Sequence, residues 1–582
     1  MHFLTIMYDT HYMKKYRIGE YFSSIRTRKT LFYLCFSLFF CFWGGGKLYP
    51  LPPQKILQPD DWAYEAIAIL SREQGRVLLA DSRVTVAQME RYLQEINPNS
   101  LSASGLVIYD RLAAYLKSDP GVNYKSDVLS GGFDLILQPE LYYKSSEYNE
   151  WIYNYHARNA VLQFPLGFSL GPWIAAEMDL YLGQNEYAAT LHDNYVNIPL
   201  DPVNQMDIHF PKRAYVSAGL PVGAASGFNL AVGIGDNFFG KTRTGSIIVS
   251  EYLERTIYAQ VSVYSPAFKY TAQVVQYEVN KYQYMHYLQI RPHRTISVSL
   301  AEGVIANAPM ELRFFNPFII FHSYESYKTY DKYNEDMGYT EEGVTPIDPN
   351  GHSRIGSYFG AKLELQPVRY LRFYGLFVMD VLNLPMKKTN WEETLYPDAI
   401  GFQAGTEFSF PVRGGYWEFG LEGVYTYPYL YIMWGKGWSF YKEVPELDIM
   451  DPPLRYWTGT PFGPDTIAGT LWIGFRSSSQ WYGRGSFTFS TQGERSQLTV
   501  FDHFDDKNIR PSHLVYDVTT PPTGVPVFTY TASLRGEYSP KKWLNLAVQP
   551  GYRVTVNTGH IEGRHDQGFE IAFSLRYTPL SR

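Results

Sequence analysis

The chain contains 582 residues, of which 45% are hydrophobic and 17% aromatic, and its formal net charge is −6. This length exceeds that of one ordinary soluble domain, and the negative charge gives no reason to expect a nucleic-acid partner. Beyond the N-terminal region, no stretch approaches the roughly 20 apolar residues of a membrane-spanning helix. The 50 Tyr and 12 Trp residues are typical of membrane interfaces and also of sugar-binding surfaces, so composition leaves both open.

The N-terminal region has the pattern of an export signal. A basic stretch precedes an apolar run at 31–43, and three glycines follow. This arrangement predicts a secretory signal peptide over residues 1–46, with Met13 as an alternative start. A short membrane anchor and a lipoprotein cut at Cys41 are the alternatives. Because Cys35 and Cys41 both lie in this segment, we expect the mature chain to have neither disulfides nor thiol chemistry.

Residues 47–125 are predicted to form a linker and a small helical unit. Apolar residues recur at helical spacing in three groups, which are Trp62, Ala66, Ile69 and Leu70, then Met89, Tyr92, Leu93 and Ile96, then Ile108, Leu112, Tyr115 and Leu116. Gly75 is a helix stop signal, and Thr85 with Gln88 has the spacing of a capping box. The unit could dock against the fold that follows, bind a periplasmic partner or form a soluble cap.

Residues 126–582 repeat short segments in which apolar and polar or small side chains alternate. In the segment 567–578, for example, Phe569, Ile571 and Phe573 occupy every second position. A strand has a side-chain period of two, so each segment has one apolar and one polar face. Segments of about 9–11 residues can cross a bilayer as tilted strands. The pattern predicts an all-β fold, a transmembrane antiparallel β-barrel with roughly 18–20 candidate strands; a soluble sandwich or propeller is the alternative.

The predicted strands cover most of this region. They are 132–143, 155–165, 172–182, 213–220, 227–234, 256–264, 268–277, 284–290, 294–301, 355–366, 369–379, 399–410, 415–425, 466–476, 482–491, 528–538, 542–550 and 567–578. Several charged residues sit opposite apolar rows and are expected to face a polar lumen, because charges that face lipid cost a few kcal/mol each. These are Glu407, Glu418, Arg476, Arg535, Glu537, Glu570 and Arg576.

One of the long connections between strands, 428–465, is unusually aromatic. Flat aromatic rings pair well with the C–H faces of sugars, and Tyr hydroxyls add hydrogen bonds. We therefore predict polysaccharide-binding residues here, namely Tyr429, Tyr431, Trp434, Trp438, Tyr456 and Trp457. The alternative is that these rings pack the loop against the barrel mouth or belong to an interfacial girdle.

Other polar groups give weaker signals. The acidic, tyrosine-rich connection 322–353 could bind a polymer or a cation, but a solvated loop explains it as well. The aspartates in 501–508 do not match a complete calcium loop, and His560 and His565 lack a third zinc ligand nearby. No spacing selects a catalytic set, and no Gly-rich phosphate loop opens a helix. We therefore expect no catalytic residues, metal site or cofactor.

The order of features from about 213 to 495 resembles the capsule-assembly outer-membrane proteins of the Wzi type. The resemblance is carried by GIGDNFFGKTRTGSIIVSEY (233–252), a glycine-rich strand–turn–strand; SLAEGVIANAPMELRFFNPFIIFHSYE (299–325), with Glu302 and the Asn316-Pro317 turn; LRFYGLFVMD (371–380), ending on Asp380; GYWEFGLEGVYTYPYLY (415–431); and GTPFGPDTIAG (459–469). It implies a closed barrel of about 18 strands, with helices plugging the periplasmic end and loops covering the outer mouth. It also implies a non-enzymatic surface lectin.

These expectations favour a barrel of the bacterial outer membrane that binds and anchors capsular or related exopolysaccharide. Its partners would be a surface polysaccharide, outer-membrane lipid and the barrel-assembly machinery. A porin-like channel or solute transporter is the alternative, because inward charges of both signs and inward glycines allow conduction. A barrel-embedded hydrolase is a third, weaker reading.

Overall fold

The structure is a computed structural model that describes most of residues 52–580. The parts of this range that are not described are 119, 127, 147–158, 185–194, 199–205, 208–212, 223–225, 254, 308, 317–318, 320, 322–354, 382–397, 434–438, 445–453 and 498–519. The predicted signal peptide, with both cysteines, lies outside the described residues. In the part of the chain that is described, no helix combines the length and apolar character needed to cross a membrane.

Eighteen antiparallel strands close into a barrel, which confirms the predicted fold class. β1 is formed by Leu129–Phe133, Ile136–Leu137 and Glu140–Lys144. The others, β2 to β18, are Leu162–Leu170, Ile174–Gln184, Ala214–Val222, Ser226–Gly235, Thr256–Tyr264, Phe268–Glu278, Lys281–His293, Ile296–Asn307, Ile355–Val368, Leu371–Val381, Ala399–Val412, Gly415–Thr426, Thr466–Ser477, Trp481–Gln492, Val527–Lys541, Leu544–Val556 and His565–Tyr577.

Side chains alternate between the two faces of the wall, as the sequence pattern predicts. On β5, Phe228, Leu230 and Val232 are exposed on the outside, and Val232 is 54% exposed. The residues between them, Asn229 and Ala231, are buried inside. An apolar exterior around a polar interior is the arrangement of a barrel that faces lipid.

The two ends of the barrel differ in their connections. Every second connection, such as 170–174, 264–268 or 412–415, is a short turn, and all of these lie at one end. We call it the short-turn end, which is periplasmic in barrels of this kind. The opposite, long-loop end carries the longer connections, except that β7 and β8 are joined by a tight turn in which Asn280 has a φ of 62°.

Three helices form the predicted unit, α1 (Trp62–Gln74), α2 (Val86–Gln94) and α3 (Ala103–Tyr115). Gly75 ends α1 with a φ of 65°, a left-handed conformation that favours glycine. The Thr85 side chain caps α2 by accepting from the Gln88 N–H at 3.3 Å, and Ser102 caps α3. The helices pack on one another through their apolar faces.

The helical unit is seated on the short turns. Val77 N donates to Arg294 O at 2.8 Å, and Ser104 Oγ donates to Val412 O at 2.7 Å. The segment between α1 and α2 continues into the barrel, where Val84–Thr85 pairs with Ile56–Leu57. The unit therefore occupies the short-turn end of the lumen and contacts the barrel wall there.

The wall is least regular where β18 meets β1, a boundary we call the seam. β17 and β18 pair along their whole length, whereas β18 pairs with β1 only over Glu140–Lys144 and at Leu137. Short strands take up the remaining edges of β1, with Val122–Lys125 on Leu129–Phe133 and Tyr195–Val196 on Leu141 and Tyr142. The predicted unbroken strand 132–143 is thus wrong in detail, since Pro139 lacks the N–H that continuous pairing requires.

Smaller elements complete the described part. They are the strand Met206–Asp207, the hairpin Tyr441–Val444 with Leu454–Trp457, and the 3₁₀ turns Pro98–Ser100, Leu312–Phe315 and Thr558–His560. β2 begins later than predicted, at Leu162 rather than 155, and residues 155–158 lie outside the described range.

Candidate functional site

A row of six alternating charges anchors the helical unit to the barrel wall, and we call it the ion ladder. In order, its members are Asp81, Lys362, Glu364, Arg372, Glu407 and Arg72. The two end members belong to the helical unit, and the four between them point inward from β10, β11 and β12. At the last member of the ladder, Arg72 Nη1 lies 2.8 Å from Glu407, and Arg72 Nε donates to Ser409 Oγ at 2.9 Å.

Each charge in the middle of the ladder has two partners of opposite sign. Lys362 Nζ contacts Asp81 and lies 3.4 Å from Glu364 Oε2. Arg372 then bridges Glu364 at 2.7 Å and Glu407 at 3.0 Å. Because a charge taken out of water is very costly without such partners, this pairing permits charged residues inside the barrel.

A second ion cluster joins α1 to the neighbouring strands. Glu65 lies 2.5 Å from Arg476 Nη2 on β14, and Arg476 Nε lies 3.3 Å from Glu418 on β13. Burial alone would raise the pKa of Glu65, but the guanidinium groups of Arg476 and Arg243 outweigh it and lower that pKa to about 2. Glu65 is therefore ionised at neutral pH. The predicted inward position of Glu407, Glu418 and Arg476 is confirmed by these contacts.

Residues 236–253, in the connection between β5 and β6, fold into the barrel, and we call this segment the inward loop. Its anchor is the buried carboxylate of Glu422, which accepts from the backbone N–H groups of Arg243 and Thr244, each at 3.0 Å. Gln403 Nε2 donates to the same carboxylate at 2.9 Å, and the Tyr374 hydroxyl also donates to it. One side chain thus fixes the loop to three strands.

The inward loop meets the helical unit in the middle of the lumen. Gly240 N donates to Asp81 O at 2.8 Å, and the ring of Phe239 stacks on Tyr287 with 4.2 Å between centroids. Ile247, Ile248 and other residues of this loop are fully buried in a large apolar cluster. The lumen is therefore occupied by the chain itself at the level of these contacts.

Tyr431, one of the predicted sugar-binding residues, forms part of that buried cluster. It is 0% exposed, its backbone N–H donates to Asp380 Oδ2 at 2.6 Å, and its hydroxyl donates to Ile247 O. Its φ of 69° is a left-handed conformation that is uncommon for tyrosine. Tyr431 therefore holds the aromatic connection down onto the inward loop.

The other predicted aromatic residues lie in the same connection but differ in exposure. Trp457 is 7% exposed and has its ring 5.9 Å from that of Tyr431. Tyr429 is also buried, and the guanidinium of Arg495 lies 4.8 Å from its ring. Tyr456 is partly exposed.

Trp434 and Trp438 lie outside the described residues. No contact in the described part tests whether any of the six rings binds a sugar, so that role stays a prediction.

The hairpin within this connection docks on the rim of the barrel. Lys281, at the tight turn between β7 and β8, lies over the ring of Tyr441 at 3.9 Å and pairs with Glu278 at 3.4 Å. Glu443 N donates to Glu278 Oε1 at 3.2 Å, and Arg455 pairs with Glu443 at 2.5 Å. Together with the hydrogen bond from Tyr431 to Asp380 on β11, these contacts attach the aromatic connection to the wall at two places.

Among the described residues, no group of three or more His, Cys, Asp or Glu side chains could hold a metal ion. The connection 322–353 and the aspartates of 501–508 lie outside it. His560 Nδ1 lies 2.8 Å from Val525 O, which gives this side chain a structural partner.

Sequence reasoning missed two features. The resemblance predicted a strand–turn–strand over 233–252, but β5 ends at Gly235 and the residues after it form the inward loop. The apolar pairs at 238–239 and 247–248 do not alternate with polar residues, and this could have suggested burial in place of lipid exposure. Asp81 and Arg72 were not selected, since nothing local indicates their partners on the wall.

The fold and the filled interior define a β-barrel of the outer-membrane class. The structure is similar to that of Wzi from Escherichia coli, described as an outer-membrane protein involved in group 1 capsule assembly and a carbohydrate-binding β-barrel. That match has a TM-score of 0.54 at 11% identity and covers 89% of this chain and 99% of that chain. OprD of Pseudomonas aeruginosa matches at a TM-score of 0.37 and 9% identity over 77% of this chain and 94% of that chain.

The sequence itself matches no protein-family model and no curated protein. At such low identity, the structural likeness shows a shared fold, and function must be argued from the site.

Proposed function

We propose that this chain is an outer-membrane barrel that binds capsular or related exopolysaccharide and anchors it at the cell surface, without acting as an enzyme. The observation that carries the proposal is the filled lumen. The helical unit and the inward loop are bonded to the wall from β10 to β14, an arrangement suited to a rigid platform more than to a conduit.

The long-loop end supplies the surface for the polymer. The aromatic connection is fixed there by Tyr431, which bonds to Asp380 and to the inward loop, and by Lys281, so residues exposed on it are held on a rigid support. The barrel with a similar fold that is described as carbohydrate-binding adds support by analogy. A repeating polymer needs only weak contacts, since many linked sites raise its effective concentration.

Polymer retention tests the proposal. We expect cells with Trp434→Ala, Trp438→Ala and Tyr456→Ala together to release several-fold more polysaccharide into the medium than wild-type cells. Trp173→Ala is the matched control, because Trp173 is an exposed aromatic residue on a short turn at the opposite end. Equal retention in all three strains, with barrel levels unchanged, would refute the role of these rings.

Conductance tests the filled lumen. Purified protein in planar bilayers is expected to give no steady ion current, because the ion ladder and the inward loop block the path. Stable open pores would contradict the anchoring proposal and favour the porin-like channel.

A further inference from the structure

The hairpin turns at the short-turn end carry charges of one sign only. In the described wall, eight such turns join β2 to β3, β4 to β5 and so on as far as β16 and β17. None of the eight contains Asp or Glu, although the whole chain has a net charge of −6. We give the name basic rim to their charged residues, all of which are exposed, namely Arg294, Arg369, Arg413, Lys541 and Lys542.

The basic rim differs from the cations of the lumen, which have carboxylate partners. Even at the edge of the helical unit, Glu95 pairs with Arg291 at 2.8 Å and with Arg76 at 3.5 Å. The five rim residues, by contrast, form no ion pair with any residue that the structure describes. Their charges are therefore available to a partner outside the chain.

The helical unit holds the three arginine-bearing turns in place. Val77 N donates to Arg294 O at 2.8 Å, and Tyr370 N, in the second of these turns, donates to Arg72 O at 2.7 Å. In the third turn, Val412 O accepts a hydrogen bond from α3 at 2.7 Å. Successive turns are two strands apart and are therefore separated by about 10 Å. The three arginines thus form a spaced row of fixed turns and not one pocket.

Outward aromatic residues place the basic rim at the edge of the membrane. Trp417 lies on the outer face of the wall, since its neighbour Glu418 points into the lumen. The ring of Phe475 lies 5.2 Å from Trp417 and stacks on Trp481 at 4.7 Å. Trp is enriched where hydrocarbon meets the lipid headgroups. Arg413 is only four residues from Trp417 in the sequence, so lipid headgroups are the natural neighbours of the rim.

We propose that the basic rim binds the phosphates of anionic phospholipids, such as phosphatidylglycerol, in the leaflet at the short-turn end. A guanidinium group can donate two parallel hydrogen bonds to one phosphate, and each cation close to an anionic membrane surface adds attraction. A row of cations about 10 Å apart, directly beside an apolar wall, suits several headgroups of a bilayer better than one small ion. The apolar neighbours also favour lipid over an acidic protein segment.

Quenching of Trp fluorescence by brominated lipid tests the proposal. The purified full-length mature chain is reconstituted into phosphatidylcholine bilayers that contain either brominated phosphatidylglycerol or brominated phosphatidylcholine. Trp173, Trp417 and Trp481 are exposed near the short turns and report lipid there. We expect phosphatidylglycerol to bind about five-fold or more strongly than phosphatidylcholine, as for at least one such cation, and the preference to decline as salt is added.

Variants then assign the preference to the rim. Arg294→Gln, Arg369→Gln and Arg413→Gln together should remove most of it. Arg413→Gln alone should remove part of it, and this single exposed substitution keeps the test available if the triple variant reconstitutes poorly. Arg564→Gln is the control, because Arg564 lies between β17 and β18 at the long-loop end with 44% of its side chain exposed. The control should keep the wild-type preference.

Equal binding of the two lipids by the wild-type chain would overturn the proposal and leave the rim to an acidic protein partner. A preference that survives the triple substitution, or that Arg564→Gln lowers equally, would also overturn it, because the anionic lipid would then be bound elsewhere. None of these results bears on polymer retention at the long-loop end, so failure of this proposal is distinguishable from failure of the proposed function.

Discussion

The two halves of the lumen are held by different chemistry. At the short-turn end, the helical unit is fixed by ion pairs, with Arg72 and Asp81 closing the two ends of the ion ladder. At the long-loop end, the inward loop is fixed by one carboxylate, by tyrosine hydroxyls and by apolar packing. In the first region, each buried charge needs a partner of opposite charge, and this fixes the position of the helical unit. The inward loop depends more on how closely its apolar side chains pack. The two regions should therefore respond differently to substitution and to pH.

The largest effect is expected from breaking the ion ladder in its middle. Lys362→Met leaves the buried carboxylates of Asp81 and Glu364 without this cation, and losing one partner of a buried pair costs about 3–5 kcal/mol. Urea unfolding of the purified barrel measures the change in free energy of unfolding. Arg535→Gln is the control, because the Arg535 side chain is 44% exposed and should cost less than about 1 kcal/mol. Similar losses in both variants would show that the ladder is hydrated.

A smaller and more local effect is expected at the inward loop. Glu422→Gln replaces a carboxylate that accepts from several donors by an amide with one acceptor oxygen, and should cost about 1.5–3 kcal/mol. Hydrogen exchange should speed up at the amides of Arg243 and Thr244, which donate to this carboxylate, and not in the helical unit. Glu562 is exposed between β17 and β18. Glu562→Gln removes the same charge and should change neither the free energy of unfolding nor the exchange rates at Arg243 and Thr244.

The end of α1 should show a purely conformational effect. Ala in place of Gly75 must adopt a φ of 65°, which costs an L-residue about 1–2 kcal/mol. Thermal unfolding would reveal the loss. Gly375→Ala provides the comparison, since a Cβ there meets no atom within 4 Å; an equal effect at both positions would argue against backbone strain at Gly75.

The pH dependence should be the smallest effect and confined to the short-turn end. Because the pKa of Glu65 is lowered to about 2, its ion pair with Arg476 stabilises the fold fully above about pH 4.5 and is lost as the pH falls toward 2. The Glu65 side chain is 41% exposed, so screening should keep its contribution below about 1 kcal/mol. The stability difference between wild type and Glu65→Gln should vanish at the acid end of a pH series. A constant difference would exclude this linkage.

Much of the fold follows from local sequence patterns. Alternation along segments such as 256–264 and 567–578 predicts strands because each strand of the wall separates lipid from a polar interior. Helical spacing and the cap at Thr85 likewise predict α2. The direction in which Lys362 and Glu364 point could be inferred, since each sits opposite an apolar row.

The partners across the lumen could not be predicted in this way. Asp81 meets Lys362 only because barrel closure and helix docking bring together residues that are far apart in sequence. The inward loop also escaped prediction, because an adjacent apolar pair such as Ile247 and Ile248 indicates burial but does not indicate which elements cover it. Burial of Tyr431 agrees with the alternative that these rings pack the connection against the barrel mouth, but its partner Ile247 on the inward loop could not be predicted.

The seam between β18 and β1 has a mechanical consequence. Backbone hydrogen bonds carry the load between adjacent strands, and this boundary has far fewer of them than the continuous pairing of Leu544–Val556 with β18. A lateral force applied to the wall would therefore rupture it first at one of its two short pairings, either here or where five residues of β3 pair with Ala214–Ala218 of β4, with the rest of the cylinder still intact. Cross-linking Tyr142 to Ala572, which face each other across the join, would raise that rupture force.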